Sequence, residues 1–215
     1  ARSTPAGAPN NGGQPDGGRP NGGGAFNTSE TGQAGLFRLF SEPLVTEASW
    51  VLPLALVSIL LTAITLGFSW SKKHLALILW TLWLLPALAY FSFTTGLFHR
   101  YYLIMLGPAL AALTGMAFWS ASELFKRNHW LGLGTLIFLI TMTLGFQGVM
   151  LSEYTTANWL LPFAIVIALV GLGILLVNKS HQMRTIALTI ILLAMLAAPF
   201  TWSVMVTANE NANFA

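Results

Sequence analysis

The stretch "SWVLPLALVSILLTAITLGFSWSKKHLALILWTLWLLPALAYFSF", residues 49–93, decides the fold class. Two apolar runs of about 20 residues, the length a helix needs to cross roughly 30 Å of hydrocarbon, flank the short polar break Ser71-Lys72-Lys73-His74. The pattern recurs downstream and predicts six spans, at 50–70, 75–93, 101–121, 130–150, 159–177 and 185–206. Only 8% of the 215 residues are charged and 55% are hydrophobic, whereas soluble domains carry about 25% charged residues. The fold class is therefore all-α, a multi-pass membrane protein.

Four regions follow. Residues 1–35 hold ten of the 20 glycines and four of the ten prolines, too little apolar surface to offset ordering entropy, and read as a disordered loop or linker. Within them Asn27-Thr28-Ser29 matches a glycosylation pattern. Residues 36–49 form an interfacial juxtamembrane segment, with Leu36, Phe37, Leu39 and Phe40 facing the membrane and Arg38 facing water. Ser41 and Pro43 suit a helix start there, as N-cap and first-turn residue. Residues 50–206 are the six-helix region, and 207–215 begin a C-terminal tail.

The short polar loops set the orientation. Lys72, Lys73, Lys126, Arg127, Lys179 and Arg184 fall in alternate loops, while the loops between them contain only Arg100. Six cations against one put the first set in the cytoplasm. The Gly-rich segment, the loop through Arg100, the loop carrying Glu153 and Tyr154, and the C-terminal tail are then external to the cell membrane. The same distribution explains the net charge of +3 and the pI near 9.5 without nucleic acid. Trp50, Trp70, Tyr101, Trp119, Trp130, Tyr154, Trp159 and Trp202 near span ends read as an aromatic belt.

Inside the spans, polar residues are mostly Ser and Thr and none is charged near the middle, which disfavours an ion-coupled transporter. Gly107, Ala111 and Gly115 form a small-residue stripe through which a neighbouring helix could approach closely. Pro53, Pro86, Pro108, Pro162 and Pro199 interrupt spans, with Pro53 and Pro162 placed near span starts. There is no cysteine, no zinc spacing, no phosphate-binding glycine loop and no Ser/His/Asp set, so no cofactor or metal ligand set is identified. His74, His129 and His181 stand isolated in loops as solvated side chains.

One cluster could carry chemistry. His99, Arg100, Tyr101 and Tyr102 lie between two apolar runs at headgroup depth. A guanidinium suits a phosphate, an imidazole can bond a phosphate or sugar oxygen, and the phenol rings can stack on a sugar or an isoprenoid. Together they suit a lipid-linked phosphate headgroup. The same four residues also suit a plain interfacial anchor.

The chain resembles the C-terminal half of bacterial membrane glycosyltransferases of family 39, the protein-O-mannosyltransferase-like members of the GT-C superfamily. The resemblance runs from about Gly35 to the end through "RLF" (38–40), "SWVLPLAL" (49–56), "YFSF" (90–93), His-x-Tyr-Tyr at 99, 101 and 102, and "PALAALTG" (108–115). It implies a polyprenyl-phosphate-linked sugar as donor, and an external acceptor that is a protein or cell-wall polymer. Its catalytic carboxylate would lie in a first external loop that these residues do not contain. Several family members have Pro where this chain has Arg100, which ranks His99 first among donor contacts. The competing expectation is a non-catalytic membrane scaffold or lipid-transporting subunit.

Overall fold

The computed structural model describes residues 31–68, 70–95, 99–152, 159–177 and 180–213. The expectations for residues 1–30, Glu153, Tyr154 and Lys179 fall outside these. Among the described residues there is no strand, and six helices are long and apolar enough to cross a membrane. The elements are α1 (Val45–Ala48), α2 (Leu52–Leu66), α3 (Lys72–Phe93), α4 (Gly107–Arg127), α5 (His129–Ser152), α6 (Leu160–Val177) and α7 (His181–Asn213). A 3-10 turn, Ser49–Val51, joins α1 to α2, and a longer one, Arg100–Leu106, leads into α4. Helix α7 continues beyond Val206 to Asn213, through the stretch expected as the start of a tail.

Among the described residues two larger apolar cores, and a smaller third around Trp50, Met150, Leu160 and Ala198, hold the bundle. One gathers α4, α5, α6 and α7 around Leu136, Leu139, Ala168, Ile191 and Met195. The other ties the juxtamembrane segment, α2, α3 and α4 through Leu39, Leu44, Leu52, Leu84, Leu106 and Leu113. Close helix approach uses glycines outside the expected stripe. A Cβ on Gly171 of α6 would meet Ile191 Cγ1 of α7 at 2.5 Å and the Ala187 carbonyl oxygen at 3.1 Å, so this helix pair packs through a missing side chain. Gly107, Ala111 and Gly115 are exposed instead, and a Cβ on either glycine would meet nothing within 4 Å.

The juxtamembrane segment also departs from expectation. Arg38 points into the protein and is only 6% exposed, while Leu36 and Phe37 are 66% and 70% exposed. The reason is the C-terminal end of α3, whose last carbonyls lack intrahelical donors. Arg38 Nη1 donates to the Phe91 and Thr94 carbonyls at 3.2 and 2.7 Å, and its Nε donates to the Thr31 carbonyl at 2.7 Å. The Gly35 amide donates to the Ser92 carbonyl at 2.8 Å beside them. A cation at a helix C-terminus also suits the helix dipole. Burial lowers the Arg38 pKa from its ordinary value, and the guanidinium remains a cation. Ser41 caps no helix: α1 starts at Val45 behind Leu44, and the Ser41 hydroxyl donates back to the Phe37 carbonyl at 3.0 Å.

Trp50 leaves the aromatic belt for the interior. It is 5% exposed, donates Nε1–H to the Thr46 carbonyl at 2.7 Å and lies 5.9 Å from the Trp202 ring. At the opposite end, side chains pin the helix termini. Arg127 Nη2 donates to the Thr65 carbonyl at 2.6 Å, and Lys73 Nζ sits 4.2 Å from the Trp119 ring centroid. His74 is structural: its Nδ1 accepts the Ser71 amide at 3.2 Å, while Nε2 lies 3.0 Å from the Gly67 carbonyl oxygen. With Nδ1 accepting, Nε2–H can donate, so one ring ties the end of α2 to the start of α3.

Candidate functional site

The four residues singled out in the sequence sit where α3 hands over to α4. His99 is extended and precedes the 3-10 turn Arg100–Leu106, whose first bond runs from the Tyr102 amide to the His99 carbonyl at 3.0 Å. The tight turn gathers the three rings into one cluster and leaves the cation out of it. His99 and Tyr101 stack at 5.3 Å between centroids with planes 9° apart, and Tyr101 and Tyr102 meet at 4.6 Å and 60°. Tyr101 and Tyr102 are exposed, which leaves an aromatic surface for a ring or a chain to lie on.

Arg100 turns away from the rings. Its Nη1 lies 3.5 Å from Glu47 Oε1, with both side chains about half in solvent, at 50% and 40% exposure. An exposed pair of this kind is worth only about 0.2–1 kcal/mol, so the carboxylate holds the guanidinium weakly. Glu47, on α1, was not singled out by sequence.

Glu47 also stands at the rim of a groove of about 450 Å³. One wall is α4, where Gly107, Ala111 and Gly115 present no side chain larger than a methyl. Helix α7 lines it too, with Leu192, Leu196 and Pro199. Trp50 and Val51 close it behind Glu47. From Gly107 to Gly115 the floor runs roughly 12 Å at the helical rise, enough for part of a hydrocarbon chain. Among the described residues the exposed stripe lines this groove and packs against no helix. Thr114 lines the groove as well, 95% buried by its 5% exposure, and its hydroxyl has no hydrogen-bond partner among the described residues.

Gln147 of α5 underlies the same region. It is fully buried and its Nε2 donates to the Met195 carbonyl at 2.9 Å and the Trp50 carbonyl at 3.2 Å. The sequence carried a signal for it, since Gln147 is the one carboxamide inside a span. Among the described residues, no group of three or more His, Asp or Glu side chains is placed to hold a metal ion.

The comparisons with known proteins bear on what this surface serves. No family model matches the chain, and no solved structure matches it. Over 192 residues it is 36% identical to "Putative mannosyltransferase YycA" of Bacillus subtilis (strain 168), covering 84% of this chain and 27% of that protein. Over 187 residues it is 30% identical to "Putative mannosyltransferase YkcB" of the same strain, covering 80% of this chain and 25% of that protein. Both relatives carry a mannosyltransferase name. The chain spans about a quarter of the length of these curated relatives.

Proposed function

We propose that this chain is the donor-holding membrane part of a glycosyltransferase that takes its sugar from a polyprenyl-phosphate carrier and delivers it to an acceptor on the external face. The likeness to two proteins named as mannosyltransferases supports sugar transfer, and the resemblance to the GT-C enzymes suggests the lipid carrier. The observation that carries the reading is the groove of about 450 Å³ that Glu47 lines, with Arg100 paired to that carboxylate at 3.5 Å. A chain in the groove would leave its phosphate beside Arg100 and its sugar beside the rings of His99, Tyr101 and Tyr102. The positive-inside distribution of Lys and Arg supports an external position for that end of the groove.

In the proposed reaction the acceptor oxygen forms a bond to the anomeric carbon. The bond from that carbon to the phosphate oxygen breaks, and its electron pair leaves with polyprenyl phosphate. The acceptor proton passes to a carboxylate assigned to a part of the enzyme outside these 215 residues. Arg100 would stabilise the charge that grows on the leaving phosphate, and His99 would orient a phosphate or sugar oxygen.

The test compares polyprenyl phosphate with the uncharged polyprenol, titrated against the full chain in detergent. The expectation is saturable binding that favours the phosphate by about tenfold, as a charge-assisted contact would give. Joint replacement of His99 by Ala and Arg100 by Gln should erase that preference. Equal binding of both lipids, or none, would overturn the donor reading in favour of a scaffold in which the cluster is an anchor.

A further inference from the structure

We propose that Gln147 is the positioning residue of the groove: one buried carboxamide closes two carbonyls left open by two prolines, and so fixes the distance between the groove walls. The inference concerns the walls themselves and stands whatever occupies the groove.

Each proline opens a carbonyl for a simple reason. A helical carbonyl at position i accepts from the amide at i+4, and proline has no amide hydrogen. Pro199 lies inside α7, four residues after Met195, so the Met195 carbonyl loses its ladder partner. Trp50 lies in the 3-10 turn Ser49–Val51, where the donor would come from position i+3. That position is Pro53. Helix α2 begins only at Leu52, so its α ladder does not reach back to the Trp50 carbonyl either.

Both orphans point at the same side chain. Gln147 Nε2 carries two hydrogens and donates one to Met195, at 2.9 Å, and one to Trp50, at 3.2 Å. Because both partners are carbonyls, the orientation of the amide is fixed. Glutamine at this position therefore connects two helices and a turn: α5, which carries it, α7 at its proline break, and the 3-10 turn that enters α2. Met195 lies between the wall residues Leu192 and Leu196, and Trp50 is itself a wall residue. Pulling the two carbonyls to one amide draws α7 and the α2 entry to a set separation. Loss of the amide would leave two buried carbonyls unpaired, which is costly inside a bundle, and α7 would be free to pivot at Pro199.

The absence of cysteine from the chain makes the measurement clean. Spin labels on Ala111→Cys and Leu196→Cys, across the groove in the full chain, report wall separation by pulsed electron paramagnetic resonance. A control pair, Ile64→Cys and Leu131→Cys, uses exposed positions away from the groove. The unaltered background should give one narrow distance across the groove. Gln147→Leu should broaden it while the control pair stays the same. Adding Pro199→Ala restores an amide hydrogen to Met195, and should bring back a narrow distribution and recover about tenfold in the folded-to-unfolded ratio, as coupled neighbours do. If Gln147→Leu alone does not fold, the double variant decides: recovery supports the assignment. A narrow distance in Gln147→Leu, or no recovery on adding Pro199→Ala, overturns it.

Discussion

Two arginines at the same end of the bundle have opposite fates. Arg38, in the juxtamembrane segment, is buried and donates to three carbonyls, two of them at the end of α3. Arg100, at the start of the turn into α4, is half exposed and holds one carboxylate at 3.5 Å. Both are single cations beside apolar runs, and both would pass for interfacial anchors. The difference lies in what each can reach. Arg38 is buried against helix-end acceptors, so its charge is committed to the fold. Arg100 has an exposed, replaceable partner, so its charge remains available to a ligand.

The largest expected effect is on Arg38. Arg38→Met keeps most of the apolar stem but strips the donors from three carbonyls, and should cost about 3 kcal/mol of stability. Arg38→Lys should recover only part of that, since an ammonium cannot reproduce the fork that spans Thr31, Phe91 and Thr94. Denaturant unfolding of the full chain in micelles measures both. A cost under about 1 kcal/mol for Arg38→Met would mean that the segment is held by Leu39 and Leu44 alone, and the contrast with Arg100 would collapse.

The fate of each arginine shows what the sequence could and could not reveal. The six spans were legible because a bilayer demands a length of apolar residues, and composition along the chain reports that length directly. The cluster of His99, Tyr101 and Tyr102 was legible because neighbours in a tight turn must meet. Side-chain direction was not. Whether Arg38 turns up or in depends on α3 ending beside it, more than fifty residues away in sequence. The belt assignment failed at Trp50 for the same reason, since Trp202 and the α5–α7 face cover it. The small-residue stripe was visible, but only the positions of α7 and Pro199 show that, among the described residues, it lines a groove. Gln147 was passed over although it is the one carboxamide inside a span, because its partners are backbone atoms exposed by prolines on other elements.

Glycines sharpen the contrast between committed and available surface at an intermediate scale. Gly171→Leu drives a side chain into Ile191 and the Ala187 carbonyl, and should destabilise by about 1–3 kcal/mol or more through overpacking. Gly115→Leu meets open space and should instead gain up to about 1 kcal/mol from helix propensity. The same change fills the groove floor, so lipid binding should fall while stability holds or rises. Thermal unfolding and lipid titration on the two variants separate the cases. Equal destabilisation by both would show that the stripe faces a helix after all.

The smallest effect on stability belongs to Arg100. Arg100→Gln should change unfolding by no more than about 0.5 kcal/mol, because an exposed pair contributes little. Its effect on phosphate-bearing lipid should be larger, about a tenfold loss for a charge-assisted contact. Glu47→Gln provides the opposite sign. If the carboxylate competes with a phosphate for the guanidinium, removing its charge should raise affinity for polyprenyl phosphate severalfold without changing affinity for polyprenol. If Glu47→Gln lowers affinity instead, Glu47 orients Arg100 for the ligand, and Arg100 is then a committed side chain like Arg38, held by a carboxylate where Arg38 is held by carbonyls.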